Sequence, residues 1–509
     1  MSKGLSLTGH DLKFADLQDL ESTRPAASLS PGARQAMQAS VDAVRRVIDT
    51  GQVCYGINTG FGALARQHIS RERLTQLQYN LVRSHTCGVG EPLPAPVVRK
   101  IMLLKANSLA QGNSGIRPEV VDTLLALLNH DVLPLIPAKG SVGASGDLSP
   151  LAHLALALIG EGEAQHHGKR LEGEAVLKAA GMAPVKLEAK EGLALLNGTQ
   201  VSAALALAGF FGTLAALQNS IALGALSVEA LAGSYSPFDA RIHQVRNMHG
   251  QIQVAQAFRG LLTGSEIWDS HQGCDRVQDP YALRCMPQVC GAVWDTLKHA
   301  AAVLERELNS VSDNPLIFGD DVLSGGNFHA EPLAFVSDFM AIAATELGNI
   351  AERRIDLLLR QVNPRLPMFL ARDPGLESGF MIAHVTAAAL ASENKTLAHP
   401  ASADSISTSA GQEDHVSMAP WAGLKLQQIL DNLFRILAVE ALAAAEAIDC
   451  QRPLKTTAQL EPVQAWIRNH SPGKPGDRRL DGDIARLAGL LSARALLHEA
   501  LPELLNQPL

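Results

Sequence analysis

Gly140-Ser141-Val142-Gly143-Ala144-Ser145-Gly146-Asp147-Leu148-Ser149-Pro150-Leu151-Ala152-His153 is the stretch on which the rest of the chain is organised. One reading makes it a glycine-rich turn entering a helix. Ser149 would then be the N-cap and Pro150 the first helical residue, with Leu151 to Ile159 following. That reading accounts for Ser149 and Pro150 but not for the Gly-Ala-Ser-Gly-Asp run before them. A second reading is covalent. A tight turn that presses the Gly146 nitrogen onto the Ala144 carbonyl carbon allows a five-membered ring to close. Loss of water leaves an imidazolone, and dehydration of Ser145 turns its Cβ into an exocyclic methylene. Glycine at 146 offers no Cβ to block the attack and permits unusual backbone angles. Serine supplies the leaving hydroxyl, and alanine adds little bulk. The product is an electrophile that no ordinary side chain provides.

The surroundings exclude two commoner glycine motifs. Gly140, Gly143 and Gly146 are spaced Gly-x-x-Gly-x-x-Gly, which is not the dinucleotide fingerprint. Gly143-Ala144-Ser145-Gly146 is not the Gly-x-Ser-x-Gly elbow of the α/β-hydrolases. Pro134 and Pro137 interrupt the run before the turn, so no central strand is expected there.

Composition narrows the function further. At 509 residues the chain can bury a large core divided over two or more domains. A net charge of −8 gives no electrostatic footprint for nucleic acid or an anionic membrane. With only 4% aromatic residues it also lacks stacking platforms for single strands. Alanine and leucine dominate, which makes helix the default. The expected class is mainly α. Cys54, Cys87, Cys274, Cys285, Cys290 and Cys450 form no Cys-x-x-Cys pair and no zinc spacing, which fits reduced thiols in a cytoplasmic protein. The N-terminus has no apolar signal core. Residues 192–228 carry no charge and are long enough to cross a bilayer. Asn197, Thr199, Gln200, Ser202, Thr213, Gln218, Asn219 and Ser220 interrupt them, so a helix buried on all sides is the better reading.

Along the chain, Asp42 to Thr50 reads as a helix closed by Gly51. Cys54 to Gly62 is a glycine-dense loop holding Tyr55, of the kind that covers sites. Ser70 is read as the cap of a helix through Arg83, ahead of Ser84-His85. A lone histidine near a helix end is more often structural. Pro96 to Gln111 and Pro118 to His130 read as amphipathic helices. Residues 160–190 read as a surface excursion; His166 and His167 lack a third metal ligand nearby. Asn197 is either a helix cap or a polar group that needs a partner in apolar surroundings. Gln278, Tyr281 and Arg284 are spaced i, i+3, i+6, one face if the segment is helical. Arg284 suits bidentate pairing with a carboxylate. Gly325 to Pro332 holds Phe328, His329 and Glu331. Long helices are expected from Pro332 to Arg360 and from Pro420 to Cys450, as in a bundle. Ser407 to Gly411 leads into Gln412-Glu413-Asp414-His415, where Glu413 alone would be a solvated acid near a helix start.

Together these runs, from about Ser40 to Cys450, resemble the aromatic amino acid ammonia-lyases, and within them the members acting on histidine. The resemblance implies a fumarase/aspartase-like helical fold, with an N-terminal domain over 1–195 and a long-helix bundle over 196–509. It implies 4-methylidene-imidazole-5-one (MIO) formed from Ala144, Ser145 and Gly146, with no external cofactor and no metal. By the same resemblance Tyr55 lies on a lid and takes the β-proton, and Asn197, Tyr281 and Arg284 hold the substrate carboxylate, with Gln278 beside them. Phe328 lines the pocket, and His85 and Glu413 engage the substrate ring. Glu413 stands where members acting on phenylalanine or tyrosine carry glutamine; a carboxylate can take a proton and an amide cannot. The implied protein is a cytoplasmic homotetramer with sites shared between subunits. Its implied reaction is elimination of ammonia from L-histidine to give trans-urocanate, with an amino acid as its only partner and no nucleic acid or membrane. An aminomutase, a lyase for a modified histidine (against which Met381 argues) and an inactive helical scaffold are the alternatives. Met286, His384 and Gly411 depart from the family pattern, and 471–484 lacks its usual aromatics.

Overall fold

A computed structural model describes residues 4–18, 20–273, 277–473 and 476–505. Cys274 lies outside them, and the other five cysteines are free thiols. The chain forms two compact units. The first comprises Met1–Ala208, Ala302–Ser337 and Pro400–Leu424, and the second Gly209–Ala301, Asp338–His399 and Lys425–Leu509. Four of the boundaries fall inside the long helices Gln200–Ala230, Met286–Glu307, Glu331–Leu358 and Ala419–Gln451. The long helices expected from Pro332 and Pro420 are present within two residues of their expected ends.

The first unit is built around apolar helices with small sheets at its margins. Its opening helix, Pro31–Thr50, is longer than the Asp42 to Thr50 pattern suggested. Ser30 caps it by accepting from the Ala33 amide at 3.1 Å, and Gly51 ends it with φ 72°. The start was hidden because residues 31–40 carry few large apolar side chains. Ala95–Ala110 is not amphipathic as expected: every residue from Val97 to Ala110 is buried, Lys100 and Lys105 included. Ser70 is followed by a 3-10 turn, Arg71–Arg73, with the helix proper at Leu74–His85. The prolines before the glycine turn leave two stubs, Leu133–Pro134 and Pro137–Lys139. Leu133–Pro134 is the edge of a three-stranded sheet, where a proline costs no ladder bond. The excursion over 160–190 contains a hairpin, Glu163–His166 with Lys169–Glu172. Its turn residues His167 and Gly168 both have positive φ, 46° and 75°, the signature of a type I′ turn.

The second unit, which holds the larger part of the two most apolar helices, has a helical core. Gln200–Ala230 and Glu331–Leu358 are long and apolar enough to cross a membrane, yet 78% and 72% of their most apolar windows are buried. That burial makes them core helices. Arg354 and Glu440, both fully buried, pair within this unit. Met286 is buried in the hole left by Gly224, where a Cβ would lie 2.8 Å from its sulfur. His384 Nε2 donates to Glu352 Oε1 at 2.7 Å. Both departures from the family pattern therefore have local packing partners.

Candidate active site

The glycine turn is held on both flanks. Before it, Ser417 Oγ donates to the Gly143 carbonyl at 2.9 Å, and the Met418 amide donates to Val142 O at 2.9 Å. A Cβ on Gly143 would sit 2.3 Å from Ser417 Oγ, and its φ is 66°. After it, the Asp147 amide donates to Gly198 O at 2.8 Å, and Gly146 pairs with Gly198 in an isolated parallel bridge. Gly146 has φ 77°, and a Cβ there would fall 2.5 Å from both Gly198 N and Gly198 O. Only glycine fits so close an approach. The Asp147 carboxylate is buried and accepts from Ser141 Oγ, Ser202 Oγ and the Ser202 amide at 3.0, 2.9 and 2.8 Å. Burial pushes its carboxyl up, and those donors oppose the shift.

The helix after the turn starts earlier than expected, at Leu148, with Asp147 in the cap position and Ser149 already inside. The N-cap assignment of Ser149 is therefore wrong. The Asp147 carboxylate serves the 202 region instead of its own helix, so the usual side-chain cap is absent.

Ser145 lies at the apex. Asn197 Nδ2 donates to the Ser145 carbonyl at 2.6 Å, while Asn197 Oδ1 is buried without a hydrogen-bond partner among the described residues. Asn197 ends the short Glu191–Leu196 helix and does not cap the next one, which starts at Gln200. Ser145 Oγ donates to Glu413 Oε1, and Thr408 Oγ1 donates to Glu413 Oε2 at 2.7 Å. Glu413 is half-buried and sits in a kinked segment, bridged back to Thr408, between the 3-10 turn Ser409–Gly411 and the α-helix that starts six residues on at Ala419. It is thus no helix-start acid. Gly411 supplies φ 82° in this kink, a conformation that asparagine also tolerates, so its departure from the family pattern preserves the backbone.

His85 closes the Leu74–His85 helix, and its Nδ1 contacts the Leu81 carbonyl at 2.9 Å. A carbonyl only accepts, so Nδ1 carries the proton and the neutral ring presents Nε2 as an acceptor. Burial lowers the His85 pKa, while the Leu81 bond and the Glu413 charge work in the other direction. Tyr55 lies half-buried in its loop, where its hydroxyl accepts from the Gly62 amide at 3.3 Å. The 3-10 turn Gly62–Leu64 packs beside the one at Ser409–Gly411, which brings the Tyr55 loop toward the Glu413 segment. Phe328 is half-buried two residues before Ala330, whose amide reaches Gly143 O at 3.5 Å.

The first unit thus gathers Tyr55, His85, Ala144, Ser145, Gly146, Asn197, Phe328 and Glu413. Gln278, Tyr281 and Arg284 belong to the second. There the helix covers only Tyr281–Arg284, so Gln278 stands outside it and the single helical face does not form. The Arg284 guanidinium lies over the Tyr281 ring at 4.7 Å, and Tyr281 is 69% exposed. Among the described residues His329, Glu331 and His415 bring three donor atoms within 4.8 Å of one another, the one set that could gather a metal ion. His329 and His415 already contact each other at 3.4 Å.

The sequence reading passed over Lys105, Thr408, Ser417 and the carboxylate of Asp147. For Lys105 a signal existed: a cation within the apolar run Ile101 to Ala110. Thr408 and Ser417 gave none, because they act through the fold.

This helical chain with its clamped Ala-Ser-Gly turn has the fumarase/aspartase-like fold used by carbon–nitrogen lyases. Residues 12–469 match the family described as aromatic amino acid lyase, and the chain belongs to that family. It is 54% identical to the histidine ammonia-lyase of Burkholderia ambifaria over 493 residues, covering 96% of this chain and 97% of that one. The crystal structure of histidine ammonia-lyase from Trypanosoma cruzi superposes with a TM-score of 0.90 at 42% identity, covering 98% of this chain and 95% of that one. Tyrosine aminomutase from Streptomyces globisporus superposes with a TM-score of 0.93 at 36% identity, with both chains covered completely.

Proposed function

We propose that the chain eliminates ammonia from L-histidine to give trans-urocanate, using MIO built from Ala144, Ser145 and Gly146. The observation that carries this reading is the carboxylate of Glu413 set against Ser145, with His85 beside it. The turn fits the group: Gly146 has no room for a Cβ, and the Ser145 carbonyl is already held by a buried amide. When formed, the group supplies an electrophilic methylene to the substrate amine.

The chain's own residues do the rest. Asn197 Nδ2 sits on the Ser145 carbonyl, the oxygen conjugated to that methylene, and so stabilises negative charge that develops there. Once Ser145 has lost its hydroxyl, Glu413 Oε1 loses that donor and opens to a substrate N–H. His85 Nε2 offers a second acceptor, so the pair suits an imidazole better than a phenyl ring. Tyr55, its oxygen placed by Gly62, takes the β-proton. Tyr281 and Arg284 bind the α-carboxylate, with Gln278 next to them.

The proposed assembly is a cytoplasmic homotetramer in which each site draws residues from several subunits. The exposure of Tyr281 supports this, since a binding residue is open in the single chain. So does the stripe Phe335, Phe339 and Ile342 on the Glu331–Leu358 helix, which is 43–46% exposed.

An ultraviolet assay with L-histidine tests the reading. Urocanate should accumulate with the native chain and fall by about 10³-fold or more with Ser145→Ala. A second reading is an aminomutase, favoured by the full-length superposition with the tyrosine enzyme. A β-amino acid product, with no urocanate, would establish it.

A further inference from the structure

We infer that Lys105 is a positioning residue for ring formation, acting through the Asn197–Gly198 peptide that presses on Ala144-Ser145-Gly146. The inference rests on the MIO reading above.

Lys105 is 1% exposed in a helix whose neighbours are apolar. Its Nζ donates to the Asn197 carbonyl at 2.6 Å and lies 3.5 Å from Gln200 Oε1. A trans peptide is planar, with its carbonyl and N–H pointing in opposite directions. Holding Asn197 O therefore fixes where the Gly198 N–H points. Gly198 is the residue bridged to Gly146, with its N and O 2.5 Å from a Cβ built there. The Asn197 side chain meanwhile holds the Ser145 carbonyl. Lys105 thus reaches the ring-forming atoms through one peptide plane and one side chain.

Ring formation needs this kind of constraint. The Gly146 nitrogen bonds to the Ala144 carbonyl carbon, whose oxygen leaves as water with the hydrogens of the Gly146 and Ser145 amides. The Ser145 hydroxyl leaves as a second water with the Ser145 α-hydrogen. No oxidant is required, so the barrier is largely one of approach, and the fold must hold the nitrogen against the carbonyl. A freed Asn197–Gly198 peptide could rotate and release that approach.

The choice of partner supports a positioning role. Lys190 is equally buried but pairs with Asp313 at 3.3 Å and with the Ser114 carbonyl at 2.7 Å, away from the turn. Lys105 instead puts its charge on a backbone carbonyl and an amide. Burial brings its ammonium down to about 8, with Asp313 and Asp147 attracting it and Lys190 repelling it.

The test compares Lys105→Met, Lys105→Gln and Lys190→Met by mass spectrometry of the peptide containing residue 145, with thermal melting recorded for each. The native peptide should show loss of two waters. Its absence in the native protein would sink the MIO reading itself. Given native dehydration, folded Lys105→Met should dehydrate at least tenfold more slowly. Lys105→Gln, which keeps an N–H donor, should recover part of the rate, and folded Lys190→Met should match the native chain. Dehydration of folded Lys105→Met at the native rate overturns the proposal. Should that variant not fold, Lys105→Gln decides: a rate equal to that of Lys190→Met overturns the proposal, and a slower one supports it.

Discussion

In the second unit Arg354 and Glu440 are wholly buried and meet in two hydrogen bonds of 2.6 and 2.8 Å. Behind the glycine turn of the first unit, Lys105 holds a backbone carbonyl, and Asp147 holds two hydroxyls and an amide. In the first case charge is matched with charge. Burial would lower the Arg354 pKa, but the Glu440 charge and hydrogen bonds raise it. In the second case burial wins, lowering Lys105 and raising Asp147 and its neighbour Glu307. An ion pair ties helices together by matching opposite charges, although Arg354 Nη1 has no hydrogen-bond partner among the described residues. A charge spent on backbone groups costs more, and what it gains is control over where that backbone goes. Lys105, Asp147 and Glu307 form a group of perturbed side chains behind the turn, a pattern common at functional sites, as Glu229 and Tyr235 do in the second unit.

The largest expected effect lies in the paired region. Glu440→Ala leaves Arg354 buried without its carboxylate, which should cost about 3–5 kcal/mol in a denaturant titration. Dehydration at Ser145 in the folded fraction should be unchanged; its loss would mean that the two polar regions are not separate devices.

Next is the pH dependence of Lys105. Its folded pKa of about 8 lies below the unfolded value of about 10.4, so between these values the unfolded chain binds the extra proton. Stability from this group therefore rises with pH across that window, by roughly 3 kcal/mol, and the full cost is present below pH 8. Lys105→Met should lack this rise. Parallel stability–pH curves for the native chain and the variant would remove the claimed contrast with Arg354.

Glu413→Gln keeps a hydrogen-bond acceptor but removes the charge. The expected loss in kcat/KM for histidine is about 1.5–3 kcal/mol, or roughly 10- to 150-fold. An unchanged value would take the carboxylate out of substrate recognition. The smallest effect belongs to His384→Gln in the second unit. Its bond to Glu352 is partly exposed, and stability should change by no more than about 1 kcal/mol. A larger change would make that pair part of the core and blur the distinction between edge and interior.

Much of the site was legible because its chemistry dictates residue types over short spans. Ala144-Ser145-Gly146 needs no tertiary information to be noticed, and the polar residues within the uncharged 192–228 run favoured a buried helix over a membrane span, as its 78% buried window bears out. Helix ends were legible where caps were standard, as at Gly51, and misread at Ser149, where Asp147 turns its side chain to Ser202. Pro96 to Gln111 reads as amphipathic in the sequence, whereas the helix Ala95–Ala110 buries Lys100 and Lys105 along with its apolar residues.

The sequence by itself determined a helical, aromatic amino acid lyase-like chain with a ring-forming turn and an acid at 413. Those features are local: composition sets helix, and each motif is a contiguous run. Only the tertiary structure decided that Glu413 meets Ser145 across 268 residues, and that Lys105 holds the Asn197 carbonyl across 92. It also decided that Gly146 lies against Gly198 with no room for a side chain. Such contacts depend on how buried polar groups find partners once water is excluded, and no spacing along the chain encodes that choice.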